Sequence, residues 1–186
     1  MTHDDGFPLV LERLSRVLQN ETHADGLKPV QWEALRYLAR ANRFSRTPSA
    51  VTGYLGITKG TVSQTLNALE RKGLVQKATA VGDRRNVTLE LTEAGCKLLR
   101  DDPILTLSVA AADLPPDARD EIADGLRSVL RQLLQHRQQR PFGPCRTCRY
   151  FEDHAPNGTP HRCTLLDQTL NDEDGELICA EHTQDQ

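Results

Sequence analysis

The chain has 186 residues, of which 38% are hydrophobic, 26% are charged and only 4% are aromatic. This composition is typical of a soluble, helix-rich protein and argues against an all-β fold. No run approaches the roughly 20 apolar residues that cross a membrane, and the polar, acidic start differs from a secretory signal. We therefore expect a cytoplasmic protein without a membrane partner.

The charge is unevenly distributed, although the net charge is only −3. Between residues 31 and 86, ten Lys and Arg face three Asp and Glu, which gives +7. From residue 145 to the end, three Arg face nine Asp and Glu, which gives −6. A basic middle segment is suited to phosphates, and the acidic tail must serve another purpose.

Apolar residues at helical spacing predict the first two helices, and capping residues predict the third. The first covers 8–19, where Leu11, Leu14 and Leu18 form a stripe, and the second covers 29–41. A short third helix begins after the N-cap Thr47 and ends near Gly56. The first helix needs a partner for its apolar face.

A helix and a hairpin follow directly. The helix begins at its N-cap Thr58 and reaches Lys72, with Gly73 placed to end it. Alternating or β-branched residues over 75–80 and 86–91 predict two strands, and residues 82–84 form the turn between them. The tip of this hairpin is basic.

The chain then returns to helix. Thr92 is the N-cap of a helix that resumes after Pro103, and Pro116 opens a long helix with an apolar stripe of about five turns from Ile122 to Leu134. A stripe of this length usually packs on another helix. It could pack within its own domain, but a homodimer is the better interpretation, because the first helix offers a complementary stripe and a winged helix alone is too small to cover both. Near Pro141 the composition changes to Pro, Gly and Cys, which marks a domain boundary.

The helix after Thr58 has two different faces. Val62, Leu66 and Leu69 form its apolar face, so the opposite face presents small polar and cationic side chains that can bind base edges and phosphates. We predict DNA contacts from Lys59, Thr61, Ser63, Gln64, Asn67 and Arg71. An ordinary solvated helix has the same pattern, so the neighbouring elements decide the interpretation.

A pattern of residues spans the helix after Thr58 and the hairpin. It consists of Leu66, Leu69, Lys72, Gly73 and Leu74 at the end of the helix, and of Asp83, Arg85, Leu91, Thr92 and Gly95 in the hairpin and after it. With this pattern the stretch 47–95 resembles the MarR (multiple antibiotic resistance regulator) family, in which a helix-turn-helix precedes a wing with Asp-x-Arg, followed by Leu-Thr-x-x-Gly.

This resemblance, which extends over about 8–138, implies a mainly α (α+β) fold. It implies a winged helix-turn-helix at about 30–92, flanked by dimerisation helices at about 8–20 and 115–138, within a domain 1–140. It also implies a homodimer on a palindromic DNA operator. Asp83 would support Arg85 in the minor groove and Arg84 would contact a phosphate, although Asp83 also suits a simple turn. Family members often bind a small effector, but no residue here identifies one.

Four of the five cysteines lie in a cysteine module, which we define as residues 141–186. Cys145 and Cys148 form a C-x-x-C pair, and Cys163 and Cys179 follow singly. Clustered cysteines in a cytoplasmic chain indicate a metal, because disulfides are rare in that compartment. The remaining cysteine, Cys96, is interpreted as a small buried apolar residue.

Two cofactors fit these four cysteines. Zn²⁺ takes four such ligands, with His161 and His182 as substitutes, and it is the preferred assignment. A [4Fe-4S] cluster is the alternative, and the lack of a second C-x-x-C pair favours it. Zinc would make the module a structural brace, whereas a cluster would make it a metal- or redox-responsive sensor.

The predicted function is therefore sequence-specific transcription regulation. One alternative is a redox or electron-transfer protein that uses Cys145 and Cys148, but no βαβ pattern surrounds this pair. Another is an adaptor that binds a protein through the cysteine module. No catalytic triad, paired carboxylates or phosphate-binding glycine loop stands out, so we expect a non-enzyme.

Overall fold

The computed structural model describes residues 6–21, 26–80, 83–153 and 160–184, without the side chains of residues 21, 79, 80 and 83–86. The helices are α1 (Gly6–Glu21), α2 (Pro29–Arg40), α3 (Pro48–Leu55), α4 (Lys59–Arg71), α5 (Glu93–Leu98), α6 (Leu105–Ala111), α7 (Pro116–His136) and α8 (Asp172–Glu176). Short 3-10 helices cover Leu99–Asp101 and Cys145–Thr147.

The described strands form three small antiparallel sheets. They are β1 (Val75–Ala80), β2 (Asp83–Leu91), β3 (Gly143–Pro144), β4 (Phe151–Asp153), β5 (His161–Cys163), β6 (Gln168–Leu170) and β7 (Ile178–Cys179). Strand β1 pairs with β2, β3 pairs with β7, and β4, β5 and β6 form one sheet in that order. The mainly helical fold class is confirmed, and β2 begins earlier than the sequence indicated.

The helix ends are where the capping residues predicted them. The side chains of Thr47, Thr58 and Thr92 each accept a hydrogen bond from the backbone N–H three residues later. Gly56 and Gly73 follow α3 and α4 with φ of 63° and 69°, a left-handed conformation that favours glycine. Local chemistry thus sets the bounds of the helix-turn-helix.

One core holds the winged helix together. Trp32, Leu35 and Leu38 of α2 pack with the buried faces of α3 and α4 and with Leu89 of β2. Each of these side chains is almost fully removed from water, and this burial is the dominant favourable contribution to folding. The core fixes α4 against α2 and the hairpin.

The junction between α4 and α5 explains the glycine of the Leu-Thr-x-x-Gly pattern. Thr92 Oγ1 donates a 2.6 Å hydrogen bond to the carbonyl of Gly73, and the Thr92 N–H donates to the carbonyl of Leu74 at 3.1 Å. A Cβ on Gly95 would lie 2.2 Å from that Leu74 oxygen. The two segments can approach this closely only because residue 95 has no side chain.

Helices α1, α6 and α7 expose apolar side chains. In the single chain Ile122 and Leu130 of α7 are 51% and 56% exposed, and Val10 of α1 is 67% exposed. None of the helices in the described residues is long and apolar enough to cross a bilayer. In the described part of a single chain, the apolar side chains of these three helices stay exposed to water.

Two expectations differ from the structure. Cys96 is exposed in the single chain, because it lies on the outer side of α5 while Gly95 faces the core. The second difference is that the cysteine module contributes residues to the winged-helix core, which the predicted boundary near Pro141 did not indicate. Its Ile178 and Ala180 belong to the winged-helix core, and Ala41 forms a parallel bridge to Ile178.

Candidate nucleic-acid interface and cysteine cluster

The outer face of α4 carries every helical residue that the sequence predicted for DNA contact. Val62, Leu66 and Leu69 are buried, together with Thr65. The opposite side chains are all exposed: Lys59, Thr61, Ser63, Gln64, Asn67 and Arg71. The structure thus brings these residues together on one helix, available to a groove, and their contacts with DNA stay a prediction.

The N-terminal end of α4 is rigidly capped. Thr58 Oγ1 lies 2.9 Å from Thr61 Oγ1 and accepts the Thr61 N–H at 3.2 Å. Lys59 stands at the first position of the helix. Free N–H groups and the positive end of the helix dipole make this end suitable for a phosphate.

Lys77 of β1 is a cation that sequence reasoning missed. Its Nζ donates to Asn67 Oδ1 at 2.7 Å and lies 2.6 Å from Glu70 Oε2. Val75 is buried and Gln76 is exposed, as expected for successive residues of a strand. This local pattern gave no indication that the next residue, Lys77, contacts α4. Lys77 thus connects Asn67 of the predicted contact face to Glu70, whose carboxylate offsets the charge of the Lys77 ammonium group.

The wing residues are placed only through their backbone. Asp83 begins β2 and pairs with Ala80, where the register shifts after Thr79. The side chains of Asp83, Arg84 and Arg85 lie outside the described residues. Their predicted roles at the DNA therefore stay predictions.

Comparisons with known proteins agree with this geometry. Residues 25–86 match the model of the MarR family. The transcriptional repressor MprA of Escherichia coli K12 is 30% identical over 150 residues, which cover 72% of this chain and 85% of MprA. The chain belongs to the MarR family.

Solved MarR-type structures share the fold. A MarR/EmrR family regulator from Acinetobacter sp. ADP1 aligns with a TM-score of 0.58 at 20% identity, covering 73% of this chain and 99% of that one. A DNA complex of MepR from S. aureus aligns at 0.55 and 21% identity, covering 72% and 99%. As a MarR-family regulator, the chain is a transcription factor and not an enzyme.

The cysteine module of this MarR-family chain brings its four cysteines to one cavity. Cys145 and Cys179 are buried, and Cys148 and Cys163 are partly buried. We call it the four-cysteine cavity, and its remaining walls are Tyr150, Phe151, Leu165, Leu170 and Glu181. Among the described residues, no three His, Cys, Asp or Glu side chains are arranged to hold a single metal ion.

Hydrogen bonds surround the sulfurs of this cavity. Asn42 Nδ2 donates to Cys145 Sγ at 3.2 Å, and the backbone N–H of Thr183 donates to Cys148 Sγ at 3.4 Å. The hydrogen bond between Cys145 and Cys179 lowers the pKa of Cys179 to about 6 and raises the pKa of Cys145. Donors aimed at sulfur stabilise thiolate, the form that binds metals.

The two histidines lie outside the walls of the four-cysteine cavity. His161 is buried between two carboxylates, with Nδ1 2.7 Å from Asp153 and Nε2 2.8 Å from Asp172. His182 Nε2 lies 2.9 Å from Thr147 Oγ1, and burial lowers its pKa. These contacts connect His161 to β4 and α8 and connect His182 to Thr147, and the substitution of either ring for a cysteine ligand stays a prediction.

Proposed function

We propose that this chain is a homodimeric repressor that binds a palindromic operator through α4 and the wing. The exposed polar and cationic face of α4, opposite a fully buried apolar face, carries the proposal. Such a helix can enter the major groove while its neighbours contact the backbone. The name of the relative MprA, a transcriptional repressor, supports the sign of regulation.

The exposed apolar stripes support the homodimer. Ile122, Leu126, Leu130 and Leu133 of α7, with Phe7, Leu9, Val10 and Leu11 of α1, stand in water in the single chain. Apolar patches of this kind usually mark protein–protein interfaces. A twofold interface between these helices would place two copies of α4 on successive major grooves.

The proposal includes the wing and the cysteine module. Arg85 would enter the minor groove with Asp83 orienting it, while Arg84 contacts a phosphate. Cys145, Cys148, Cys163 and Cys179 would bind a metal, either Zn²⁺ or a [4Fe-4S] cluster, that makes the regulator metal- or redox-responsive. Their position around one cavity supports a shared ligand.

The test uses a duplex selected from a random-sequence library with the full-length protein. Replacing Gln64 or Asn67 by Ala should weaken binding by roughly 1–3 kcal/mol, or about 5- to 150-fold, if each side chain reads a base edge. Gln132→Ala is the matched control, because Gln132 is an exposed glutamine on α7. Fluorescence anisotropy measures the affinity.

Equal affinity of the Gln64, Asn67 and Gln132 variants would exclude α4 as the reading helix. Arg85→Ala should also weaken binding markedly. An unchanged affinity for that variant would exclude the wing assignment. If the selection enriches no DNA sequence, the protein does not bind an operator sequence-specifically and the proposed function is refuted.

A further inference from the structure

We infer that Cys145 and Cys179 are the site of a reversible disulfide, formed when a peroxide reaches Cys179 through a groove beside α3, and that this bond loosens the turn in front of α3. The bond itself requires no metal, and only its effect on DNA rests on the proposed function. Three observations carry the inference: the contact between the two thiols, the groove that reaches Cys179, and hydrogen bonds from both sulfurs to residues 41–47, which we call the α2–α3 turn.

The two thiols meet across the small sheet of β3 and β7. Gly143 lies opposite Cys179, and the N–H of Cys145 continues the ladder by donating to the carbonyl of Leu177 at 3.2 Å. Cys145 and Cys179 therefore extend from the same face of the ribbon, and their side chains are hydrogen-bonded to each other. Two cysteines can be bridged without backbone movement only where their side chains already face each other, and this pair does.

An open groove gives Cys179 its contact with solvent. The groove has a volume of about 1030 Å³ and lies between α3, with Ser49, Thr52 and Gly53, and the cysteine module, with Gln168 and Cys179. The adjoining four-cysteine cavity has a volume of only about 10 Å³, about the least that one water molecule needs. Cys179 is only 5% exposed, so a small oxidant such as hydrogen peroxide is favoured over a bulky one.

Hydrogen bonds make Cys179 the attacking sulfur of the pair. Its Sγ interacts with the thiol of Cys145, the side chains of Asn42 and Ser45 and the backbone of Glu181. Donors of this kind stabilise the negative charge of a nucleophilic sulfur. Cys145 lines the four-cysteine cavity but not the described walls of the groove, so it is placed to attack second.

The reaction takes two steps. The Cys179 thiolate attacks one oxygen of the peroxide, the O–O bond breaks, and the leaving hydroxide takes up the proton that Cys179 gave up. The products are water and a sulfenic acid, S–OH. The sulfur of Cys145 then attacks the sulfur of Cys179, the S–O bond breaks, and hydroxide leaves as water with the Cys145 proton. The two thiols lose two electrons, the peroxide gains them, and a thiol reductant restores both cysteines.

Oxidation weakens the hydrogen bonds that hold the α2–α3 turn. Asn42 is fully buried, and its Nδ2 donates to Cys145 Sγ at 3.2 Å. Ser45 is also buried, and its hydroxyl interacts with Cys179 and accepts the N–H of Ala180 at 2.8 Å. The neutral sulfurs of a disulfide are weak acceptors, and a buried donor without a good acceptor is unfavourable. The disulfide therefore disfavours the present arrangement of the turn.

The α2–α3 turn positions both DNA-contacting elements. It ends at Thr47, the N-cap of α3. Within the turn, Asn42 Oδ1 accepts the N–H of Phe44 at 3.1 Å, and the carbonyl of Arg46 accepts the N–H of Leu89 in β2 at 2.7 Å. Movement of Asn42 thus affects the start of α3 and the wing strand. We expect the disulfide form to bind the operator more weakly than the reduced form.

The first arm of the experiment identifies the bond. Metal-free, reduced, full-length protein is treated with hydrogen peroxide, alkylated and digested at Arg and Asp without reductant. This digest places Cys145, Cys148, Cys163 and Cys179 in four different peptides. Mass spectrometry should find Cys145 linked to Cys179, and dithiothreitol should separate the two peptides. Cysteines that all stay reduced, or a bond between other cysteines, would overturn the inference.

A bulkier oxidant tests the route to Cys179. Oxidised glutathione should form the bond much more slowly than hydrogen peroxide at the same concentration, because little of Cys179 is exposed in the groove. Equal rates would overturn the assignment of a small peroxide as the oxidant.

Serine variants assign the two steps. Cys145→Ser should stop at the sulfenic acid of Cys179, which dimedone traps, whereas Cys179→Ser should give neither product. Cys96→Ser is the matched control and should form the bond as the wild type does, because Cys96 is exposed on α5 and stands outside the described walls of the groove and of the four-cysteine cavity. Sulfenic acid trapped at Cys145 instead of Cys179 would overturn the order of attack.

The second arm tests the effect on the turn and on DNA. Amide hydrogen exchange at residues 41–47, which requires no DNA, should be faster in the oxidised than in the reduced protein. Affinity for the selected duplex should fall roughly tenfold on oxidation, within the usual range of allosteric coupling, and dithiothreitol should restore it. Equal exchange and equal affinity in the two forms would overturn the coupling. Absence of DNA binding by both forms, with the disulfide and the difference in exchange present, would refute the proposed function alone.

Discussion

A Gly95→Ala substitution should destabilise the protein, although alanine is the better helix former. The added Cβ would lie 2.2 Å from the carbonyl oxygen of Leu74, while favourable contacts of carbon atoms begin at about 3.5 Å. The backbones at Leu74 and Gly95 must therefore move apart by about 1 Å. That movement also strains the Thr92 hydrogen bonds that join α4 to α5.

The expected magnitude follows from two opposing effects. Overpacking a well-packed site costs about 3 kcal/mol, and replacing glycine by alanine in a helix contributes about 1 kcal/mol in return. The net loss should be roughly 2 kcal/mol, or a fall in Tm of about 4–8 °C for a chain of this length. Urea unfolding monitored by circular dichroism measures it.

Gly60→Ala is the matched control. Gly60 also lies in the first turn of a helix, but a Cβ there would meet only Thr58 Oγ1, at an ordinary 3.8 Å. This variant should be stabilised by about 0.5 kcal/mol. If both alanine variants are stabilised alike, the close approach of Leu74 to Gly95 is not what requires glycine, and the reasoning fails.

Three further predictions concern other parts of the chain. Asp102→Asn should lower the free energy of unfolding in urea by about 3 kcal/mol, because it breaks the ion pair of the buried Asp102 with Arg36. Asp124→Asn, in an exposed ion pair, should lower it by under about 0.5 kcal/mol. Equal losses in the two variants would contradict this reasoning. Burial raises the pKa of Tyr37. The stability that depends on its neutral phenol is therefore complete below about pH 10 and is lost as the pH rises further. Tyr37→Phe should reduce this alkaline loss of unfolding free energy, and the same pH dependence in variant and wild type would refute the reasoning. Leu130→Glu should convert the proposed dimer to monomers in analytical ultracentrifugation, because it places a charge in the exposed apolar stripe of α7. A molecular mass equal to that of the wild-type protein would exclude α7 as the interface.

Local sequence was sufficient for the order of the winged-helix elements and for the ends of helices α3 and α4. Threonine N-caps and glycines that terminate helices act within a few residues, so Thr58 and Gly73 fixed α4 before any packing was known. The 3.6-residue period likewise placed Val62 and Leu66 inside and Gln64 outside. These features need no distant partner, and each was confirmed.

Side-chain partners that are far apart in sequence could not be predicted in this way. Lys77 reaches Asn67 from another element, and Cys96 turned out to be exposed although cysteine is usually buried. The role of Gly95 in admitting a carbonyl oxygen also appeared only when α4 and α5 were placed together. Such contacts depend on how elements pack.

The sequence by itself determined the elements of a winged helix-turn-helix, a polar and cationic face on α4, and a cysteine-rich C-terminal segment, because periodicity, caps and cysteine spacing are local properties of the chain. Only the tertiary structure decided that the four cysteines line one cavity and that this cavity adjoins the turn before α3. The contact between Asn42 and Cys145 joins residues 103 positions apart. No local pattern encodes such a contact, because it arises when Ile178 and Ala180 are buried in the winged-helix core.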